Sequence, residues 1–271
     1  MLGAMVISVL GAGMIGEALM SGLLRGGHKP EDLLFTTRRA DHAQQLTAKY
    51  GVKAVETRAA VERADVLVVA VKPQDIHVTL EELSIAMTAH KLLVTVCAGL
   101  PTALFEHRLG DVPVVRAMPN TPMMVGESMS VLAAGRHATA EHVATVKTMF
   151  EHVGEVIELA EPQLDAVTAL SGSGPAYFFY LVEAMVDAGI RLGLPRAIAE
   201  KLIIQSAVGS AKMLAESDDN PSSLREAVTS PGGTTISAIR ELENRGVHTA
   251  VLAAIAAAHN RAAELGKQHD N

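Results

Sequence analysis

At 271 residues, with 49% hydrophobic and 20% charged side chains, the chain has a globular composition and the length of about two domains, which excludes a disulfide-stapled miniature, a collagen-like repeat and a long disordered tail. Its 23 Lys and Arg against 30 Asp and Glu leave a formal charge of −7, a field that repels phosphate backbones and acidic bilayers, so neither nucleic acid nor membrane is an expected partner. The lone cysteine, Cys97, has nothing to pair with, and the N-terminal stretch lacks the basic region and cleavage pattern of a secretory signal, so a reducing cytoplasm is the expected location.

Residues 6–10 are a short apolar run that predicts a buried parallel strand; Gly11, Gly13 and Gly16 follow, and residues 18–24 recur at helical spacing. Further strands are predicted at 33–37, 65–71, 92–97 and 113–117, separated by polar helical stretches such as 41–50 and 74–87. Alternation of this kind implies βαβ crossovers and a mainly parallel, doubly wound α/β sheet. Residues 129–134 and 155–159, flanking a helical stretch at 140–152, finish the sheet at its edge. From 164 to 265 the pattern is helical and Ala-rich, punctuated by Gly174-Pro175, Gly193-Leu194-Pro195, Asn220-Pro221 and Ser230-Pro231-Gly232-Gly233. The expected domains are therefore 1–161, cofactor-binding, and 162–271, all-helical. Apolar faces along 176–190 and 247–262 exceed what one such domain buries internally, which points to a helix-mediated homodimer, the alternative being a compact bundle docked on the first domain. His28, His77, His90, His107 and His137 lack Cys or His partners at ligand spacing, so no metal is expected.

Gly11-Ala12-Gly13-Met14-Ile15-Gly16 fits G-x-G-x-x-G directly after a strand and at a helix start, the context that dinucleotide binding requires. Gly11 serves the tight turn, Gly13 the approach of backbone N–H groups to a pyrophosphate, and Gly16 the packing of helix on sheet. About 20 residues on, where an NAD site carries a ribose-binding acid, the chain reads Leu33-Leu34-Phe35-Thr36-Thr37-Arg38-Arg39, with no acid before Asp41. Hydroxyl and guanidinium groups suit a 2′-phosphate, so NADPH is the expected cofactor, NADH being weaker, with Thr36, Thr37, Arg38 and Arg39 around the phosphate. The alternative is that the arginines are solvated charges at a helix start.

Four separated motifs carry a more specific signal: Ala70-Val71-Lys72-Pro73, Met118-Pro119-Asn120-Thr121-Pro122, the run from Leu170 through Ser171, Gly172, Ser173, Gly174, Pro175 and Ala176 to Tyr177, and Thr229-Ser230-Pro231-Gly232-Gly233-Thr234-Thr235. In order and spacing the chain resembles pyrroline-5-carboxylate reductase over almost its full length. The resemblance implies an N-terminal Rossmann domain, a C-terminal helical domain that builds an intertwined dimer, often a ring of dimers, and reduction of 1-pyrroline-5-carboxylate to L-proline, the last step of proline biosynthesis. It carries cofactor contacts onto Leu10, Gly11, Ala12, Gly13, Met14 and Ile15, onto Thr36 or Thr37, onto Ala70, Val71, Lys72 and Pro73, and onto Cys97, Ala98 and Gly99. Substrate contacts fall on the loop from Ser230 to Thr235. Many relatives carry an adenosine-contacting Asn where this chain has Thr57-Arg58.

An imine accepts hydride at carbon when its nitrogen is protonated or gains a proton as reaction proceeds, so a hydrogen-bond partner near that nitrogen is needed. The Pro-Gly-Gly turn suits the substrate carboxylate, with the amides of Gly232, Gly233 and Thr234 as donors and Thr235 presenting its hydroxyl to the ring nitrogen. Threonine is too weak an acid to supply the proton alone; water or a protonated iminium supplies it. The competing reading has Thr234 and Thr235 capping a helix that starts near Ile236. Lys72 lies near the nicotinamide or is a solvated strand-end charge, and Asn120 bonds the cofactor or holds its own loop. Residues Ser171 to Pro175 read as a helix start with one of the two serines as its N-cap and Pro175 at an early position, and Tyr177 and the Cys97 thiol as packing groups. Two rivals remain: another Rossmann reductase with a helical second domain, such as a β-hydroxyacid dehydrogenase or a broader imine reductase, whose helical-half Lys or Asp finds no distinctive counterpart in Lys201 or Lys212, and a non-catalytic NADPH-binding redox sensor.

Overall fold

A computed structural model describes residues 5–267. In chain order it forms β1 (Ile7–Leu10), α1 (Met14–Arg25), β2 (Leu33–Thr36), α2 (Ala40–Tyr50), β3 (Lys53–Ala54), α3 (Thr57–Arg63), β4 (Val66–Val69), α4 (Ile76–Ser84), β5 (Leu92–Thr95), α5 (Thr102–Leu109), β6 (Val114–Met118), β7 (Ser128–Ala134), α6 (Ala140–Glu151), β8 (Gly154–Glu158) and α7 (Leu164–Val167). Helices α8 (Gly174–Arg191), α9 (Arg196–Glu216), α10 (Pro221–Ala227), α11 (Thr234–Asn244) and α12 (Val247–Lys267) complete it. The chain divides into two compact units, residues 1–173 with 258–271 and residues 174–257.

The first unit is one sheet in the order β3-β2-β1-β4-β5-β6-β7-β8. β1 pairs in parallel with both β2 and β4, so the strand order reverses at β1, and only the β6–β7 pairing is antiparallel. The period of two along each strand explains why the runs are mostly apolar. Ile7, Val9, Leu33, Phe35, Val66, Val68 and Val94 enter the core on one face of the sheet, while Leu10, Leu67, Val69, Leu93 and Val114 enter the core on the other. Both faces are therefore dry, as a parallel sheet covered by crossover helices requires, and each large aliphatic group so buried contributes about 1.5–3 kcal/mol. A buried polar link ties the sheet to its surroundings: Arg116, only 5% exposed on β6, sits 3.3 Å from Glu161, whose carboxylate accepts the Thr102 N–H (2.8 Å) and hydroxyl (2.6 Å) at the start of α5.

The second unit is helical throughout. α8 and α9 pack closely at Gly189, where an added Cβ would stand 2.9 Å from the Cβ of Ala199. Between them Gly193 takes a positive φ of 92°, and Leu194 N–H donates back to Gly189 O at 3.1 Å, a turn that needs glycine. Two expectations are corrected at helix starts. Neither serine of the run caps a helix start: Ser171 lies within a π-turn over Thr168–Gly172, its hydroxyl donating to Val167 O at 3.2 Å, and Ser173 has right-handed helical backbone angles and closes that turn, its N–H bonding Thr168 O at 2.8 Å. Thr234 and Thr235 do not cap a helix starting near Ile236, because α11 begins at Thr234 with Gly233 as its N-cap.

Candidate active site

The strand register brings separated sequence positions to one edge. Leu10 is level with Thr36 and with Val69, and Val69 is level with Thr95. The residues that follow these strand ends, Gly11 to Ile15, Thr37 and Arg38, Ala70 to Pro73, and Cys97 to Gly99, therefore all leave the carboxyl edge of the sheet beside the β1/β4 reversal. This is where an open α/β sheet holds its ligand.

The glycine loop is built to leave space. Gly11 has a φ of 91°, and a Cβ there would stand 2.9 Å from Ala70 O. At Gly16 a Cβ would meet Gly11 O at 2.7 Å and the Val9 side chain at 2.8 Å, whereas at Gly13 it would meet nothing within 4 Å. Two glycines thus serve close packing, and the third borders an opening. Thr36 fixes the loop from below: its carbonyl accepts from Ala12 N–H (3.0 Å) and Gly11 N–H (3.2 Å), and its hydroxyl also accepts from Gly11 N–H at 3.2 Å. His42 Nε2 lies 2.9 Å from Ala12 O, and the first bond within α1 runs from Glu17 N–H to Gly13 O at 2.8 Å. The amides of Met14, Ile15 and Gly16 precede that bond and belong to the first turn, whose N–H groups have no intrahelical acceptor, a natural anion site. These features fit a dinucleotide pyrophosphate.

At the end of β2, Arg38 and Arg39 are exposed and already partnered. Arg38 makes a two-pronged pair with Asp75 (3.0 and 2.9 Å), and Arg39 does the same with Asp41 (3.3 and 2.9 Å). Lys72 is exposed, and Pro73 opens a 3-10 turn over Pro73–Asp75. Cys97 is buried, its thiol donating towards Val71 O (3.3 Å) and Val69 O (3.6 Å); burial pushes its pKa up to about 11, so it is a packed thiol and not a nucleophile at neutral pH. Asn120 is buried, with its amide donating to Ser171 O (3.0 Å) and its carbonyl accepting from the Met129 N–H (3.0 Å) and the Ser128 hydroxyl (3.2 Å). Of the two roles open to it, holding its own loop is the one these bonds describe. Thr57 and Arg58 open α3, where Arg58 pairs with Glu62 at 2.9 Å.

In the second unit, the loop before α11 makes a tight turn in which Gly232 has a φ of 67° and Gly233 N–H donates to Ser230 O at 3.1 Å. That amide was expected to face a carboxylate, but the turn already uses it. A Cβ at Gly233 would stand 2.6 Å from the Ser230 hydroxyl, so that side chain folds back over the turn. Gly232 and Thr234 are exposed and Thr235 is half-buried in the first turn of α11. Among the described residues no group of three or more His, Cys, Asp or Glu side chains is arranged to hold a metal ion, and no helix is long and apolar enough to cross a membrane.

Residues 6–99 match the family model for NADP oxidoreductase, coenzyme F420-dependent, and residues 161–265 match that for pyrroline-5-carboxylate reductase dimerisation. A pyrroline-5-carboxylate reductase of Corynebacterium melassecola is 44% identical over 266 residues, covering 96% of this chain and 98% of its own length. The chain belongs to the pyrroline-5-carboxylate reductase family. Two solved family structures superpose closely. The reductase of Coxiella burnetii has a TM-score of 0.89 at 36% identity. The Plasmodium falciparum pyrroline carboxylate reductase, solved with NADP bound, has a TM-score of 0.89 at 28% identity, and each comparison covers 97% of this chain and 98% of the other. As a pyrroline-5-carboxylate reductase family member the chain is a nicotinamide-dependent oxidoreductase, and its helical region is a self-association region.

For this reductase, sequence reasoning missed three side chains around the glycine loop. Asp75 lies 37 residues from its partner Arg38. His42 reaches Ala12 O from α2. Glu17 on α1 accepts from both Lys49 Nζ and the Tyr50 hydroxyl at 2.9 Å, and the bond from Lys49 holds its carboxyl below the usual range. Pairing across crossovers leaves no local spacing signal, so only the fold could reveal them.

Proposed function

We propose that the protein reduces 1-pyrroline-5-carboxylate to L-proline, the last step of proline biosynthesis, with NADPH preferred over NADH. The observation that carries the reading is the meeting of the glycine loop, Thr36, Ala70 to Pro73 and Cys97 to Gly99 at one sheet edge, in a chain that aligns with a pyrroline-5-carboxylate reductase over 96% of its length.

The nicotinamide cofactor, when bound, supplies the hydride. Leu10 to Ile15 hold the pyrophosphate through first-turn amides. Thr36, Thr37 and Arg38 surround the 2′-phosphate, the guanidinium giving charge-assisted bonds. Ala70, Val71, Lys72 and Pro73 with Cys97, Ala98 and Gly99 line the path beyond the pyrophosphate, and Asn120 keeps the neighbouring loop rigid. Ser230, Gly232 and Thr234 receive the substrate carboxylate through the open amides of the turn and of α11, while Gly233 closes the turn through its own N–H. Thr235 orients the ring nitrogen, which acquires its proton from water or arrives as the iminium. Residues 1–161 serve the cofactor, and the helical stretch 162–271, whose two ends pack in the first compact unit, pairs two protomers and, in a larger assembly, joins dimers in a ring. The single buried thiol suits a reducing cytoplasm.

The test mixes protein, pyrroline-5-carboxylate and NADPH or NADH and follows loss of reduced-nicotinamide absorbance, with a panel of cyclic imines and ketoacids alongside. Rapid oxidation with pyrroline-5-carboxylate, faster for NADPH, is expected. A ketoacid as the better substrate overturns the reaction, and a clear NADH preference overturns the cofactor assignment.

A further inference from the structure

Asp75 occupies the N-cap of α4, where an aspartate ordinarily accepts from the N–H groups of the first turn and stabilises the helix. Here it does not. Its backbone is in the right-handed region (φ −95°, ψ 0°), and its side chain makes no cap bond. Both carboxylate oxygens instead take the outer edge of the Arg38 guanidinium, at 3.0 Å to Nη1 and 2.9 Å to Nη2. The two partners differ in freedom: the Arg38 side chain is 80% exposed, the Asp75 side chain 28%, and the Asp75 carbonyl is tied down by the Thr79 hydroxyl at 3.1 Å. A partly buried carboxylate therefore holds an exposed arginine at the end of β2, the point where dinucleotide folds read the ribose 2′ position.

We infer that Asp75 sets the cofactor preference by competing with a 2′-phosphate for Arg38. This rests on the proposed use of NADPH. The edge of the guanidinium that a phosphate would grip bidentately is the edge Asp75 now fills, and the neighbouring Arg39 is matched by Asp41 in the same way. The strand end is thus charge-balanced before any ligand arrives. A 2′-phosphate must displace or share the carboxylate and bears its repulsion, while a ribose 2′-hydroxyl finds in Asp75 an acceptor that the sequence window after β2 lacks. NADH is kept usable by a residue from the following crossover.

The test needs no turnover. Adenosine 2′,5′-bisphosphate and ADP are titrated calorimetrically into the full-length protein and into Asp75→Asn. Across a shared guanidinium, at a separation of about 6 Å, each like-charge pair in water costs a factor of about 3. Asp75→Asn is therefore expected to bind the bisphosphate about 3- to 10-fold tighter and ADP no tighter, or more weakly, and to raise the NADPH-to-NADH ratio of kcat/KM by a similar factor. Arg38→Ala should weaken bisphosphate binding and, combined with Asp75→Asn, abolish the gain. Asp75→Ser is a second neutral variant should the first fold poorly. Unchanged or weaker bisphosphate binding in a folded variant overturns the inference. Absence of pyrroline-5-carboxylate turnover in the unmodified protein would instead overturn the proposed reaction, leaving the binding result to stand by itself.

Discussion

The sheet region and the helical region spend their apolar residues in opposite ways. In the sheet, Ile7, Val9, Leu33, Phe35, Leu67 and Val68 are all 0–1% exposed, sealed between two cores. In the second unit, residues 174–257, Val186 and Ala199 are the only buried residues, while Phe179, Tyr180 and Leu192 stand 64%, 72% and 84% exposed. Large apolar side chains left this exposed in number mark an interaction surface. The difference teaches that hydrophobic periodicity has two uses. In one region it specifies an internal core, and in the other it specifies a second copy of the chain, in keeping with the dimerisation model matched there.

The largest effect should come from breaking that second use. Phe179→Asp combined with Leu202→Asp places two charges on a surface that self-association desolvates, and is expected to weaken the assembly by more than about 3 kcal/mol. Light scattering after gel filtration should then report a monomer. Val78 is just as exposed, at 63%, but stands on α4 of the sheet region; Val78→Asp should leave the mass unchanged. A dimer persisting in the double variant would mean that these helix faces are not the interface.

Next in size is the catalytic contribution assigned to the helical region. Thr235→Ala removes one hydrogen-bond partner from a nitrogen that carries charge, worth about 1.5–3 kcal/mol, so kcat should fall about 10- to 100-fold while NADPH affinity stays level. Fluorescence titration and steady-state kinetics separate the two, and unchanged turnover removes Thr235 from the site.

In the sheet region the three glycines of the cofactor loop let stability be parted from binding. Gly11→Ala forces a side chain onto a φ of 91° and to within 2.9 Å of Ala70 O, at a cost of about 2–3 kcal/mol in a denaturant titration. Gly13→Ala meets nothing within 4 Å and should leave stability within about 0.5 kcal/mol yet lower dinucleotide affinity. Equal stability losses in both variants would contradict the division of roles between them.

How much of this could be read from the chain follows the same contrast. β1, β2, β4, β5 and β6 were legible because burial on both faces leaves mostly apolar runs, and Gly11, Gly13 and Gly16 were legible because their spacing reflects a backbone requirement. β3 was not: Lys53 and Ala54 are both exposed, so no alternation marks them. The short α3 and α5 carry too few turns for a clear period, and the π-turn at Thr168–Gly172 has no spacing of its own. At the site, Thr36 could be picked out by type, but its grip on Gly11 could not. Arg38 could be picked out by charge, but not the carboxylate that holds it, because Asp75 arrives from the next crossover. In the helical region the Pro-Gly-Gly turn was visible, whereas the engagement of Gly233 N–H by Ser230 O depends on how the turn closes.

The smallest expected effect isolates the sheet region through its one thiol. Cys97 donates towards Val71 O and Val69 O in a dry site, where a thiolate would face carbonyl oxygens with no solvation, and burial raises its pKa from 9.0 to about 11. Because the folded state holds this proton more tightly than the unfolded chain, the stabilisation is complete below pH 9 and declines as pH rises through 11. The loss at pH 10 amounts to about 1 kcal/mol. Cys97→Ser removes the titration while keeping a small donor, so the difference between the urea midpoints of the two proteins should be flat to pH 9 and then shrink. A difference that stays constant through pH 11 would mean that the thiol is more open than its packing suggests, and with it the floor of the cofactor edge between β4 and β5.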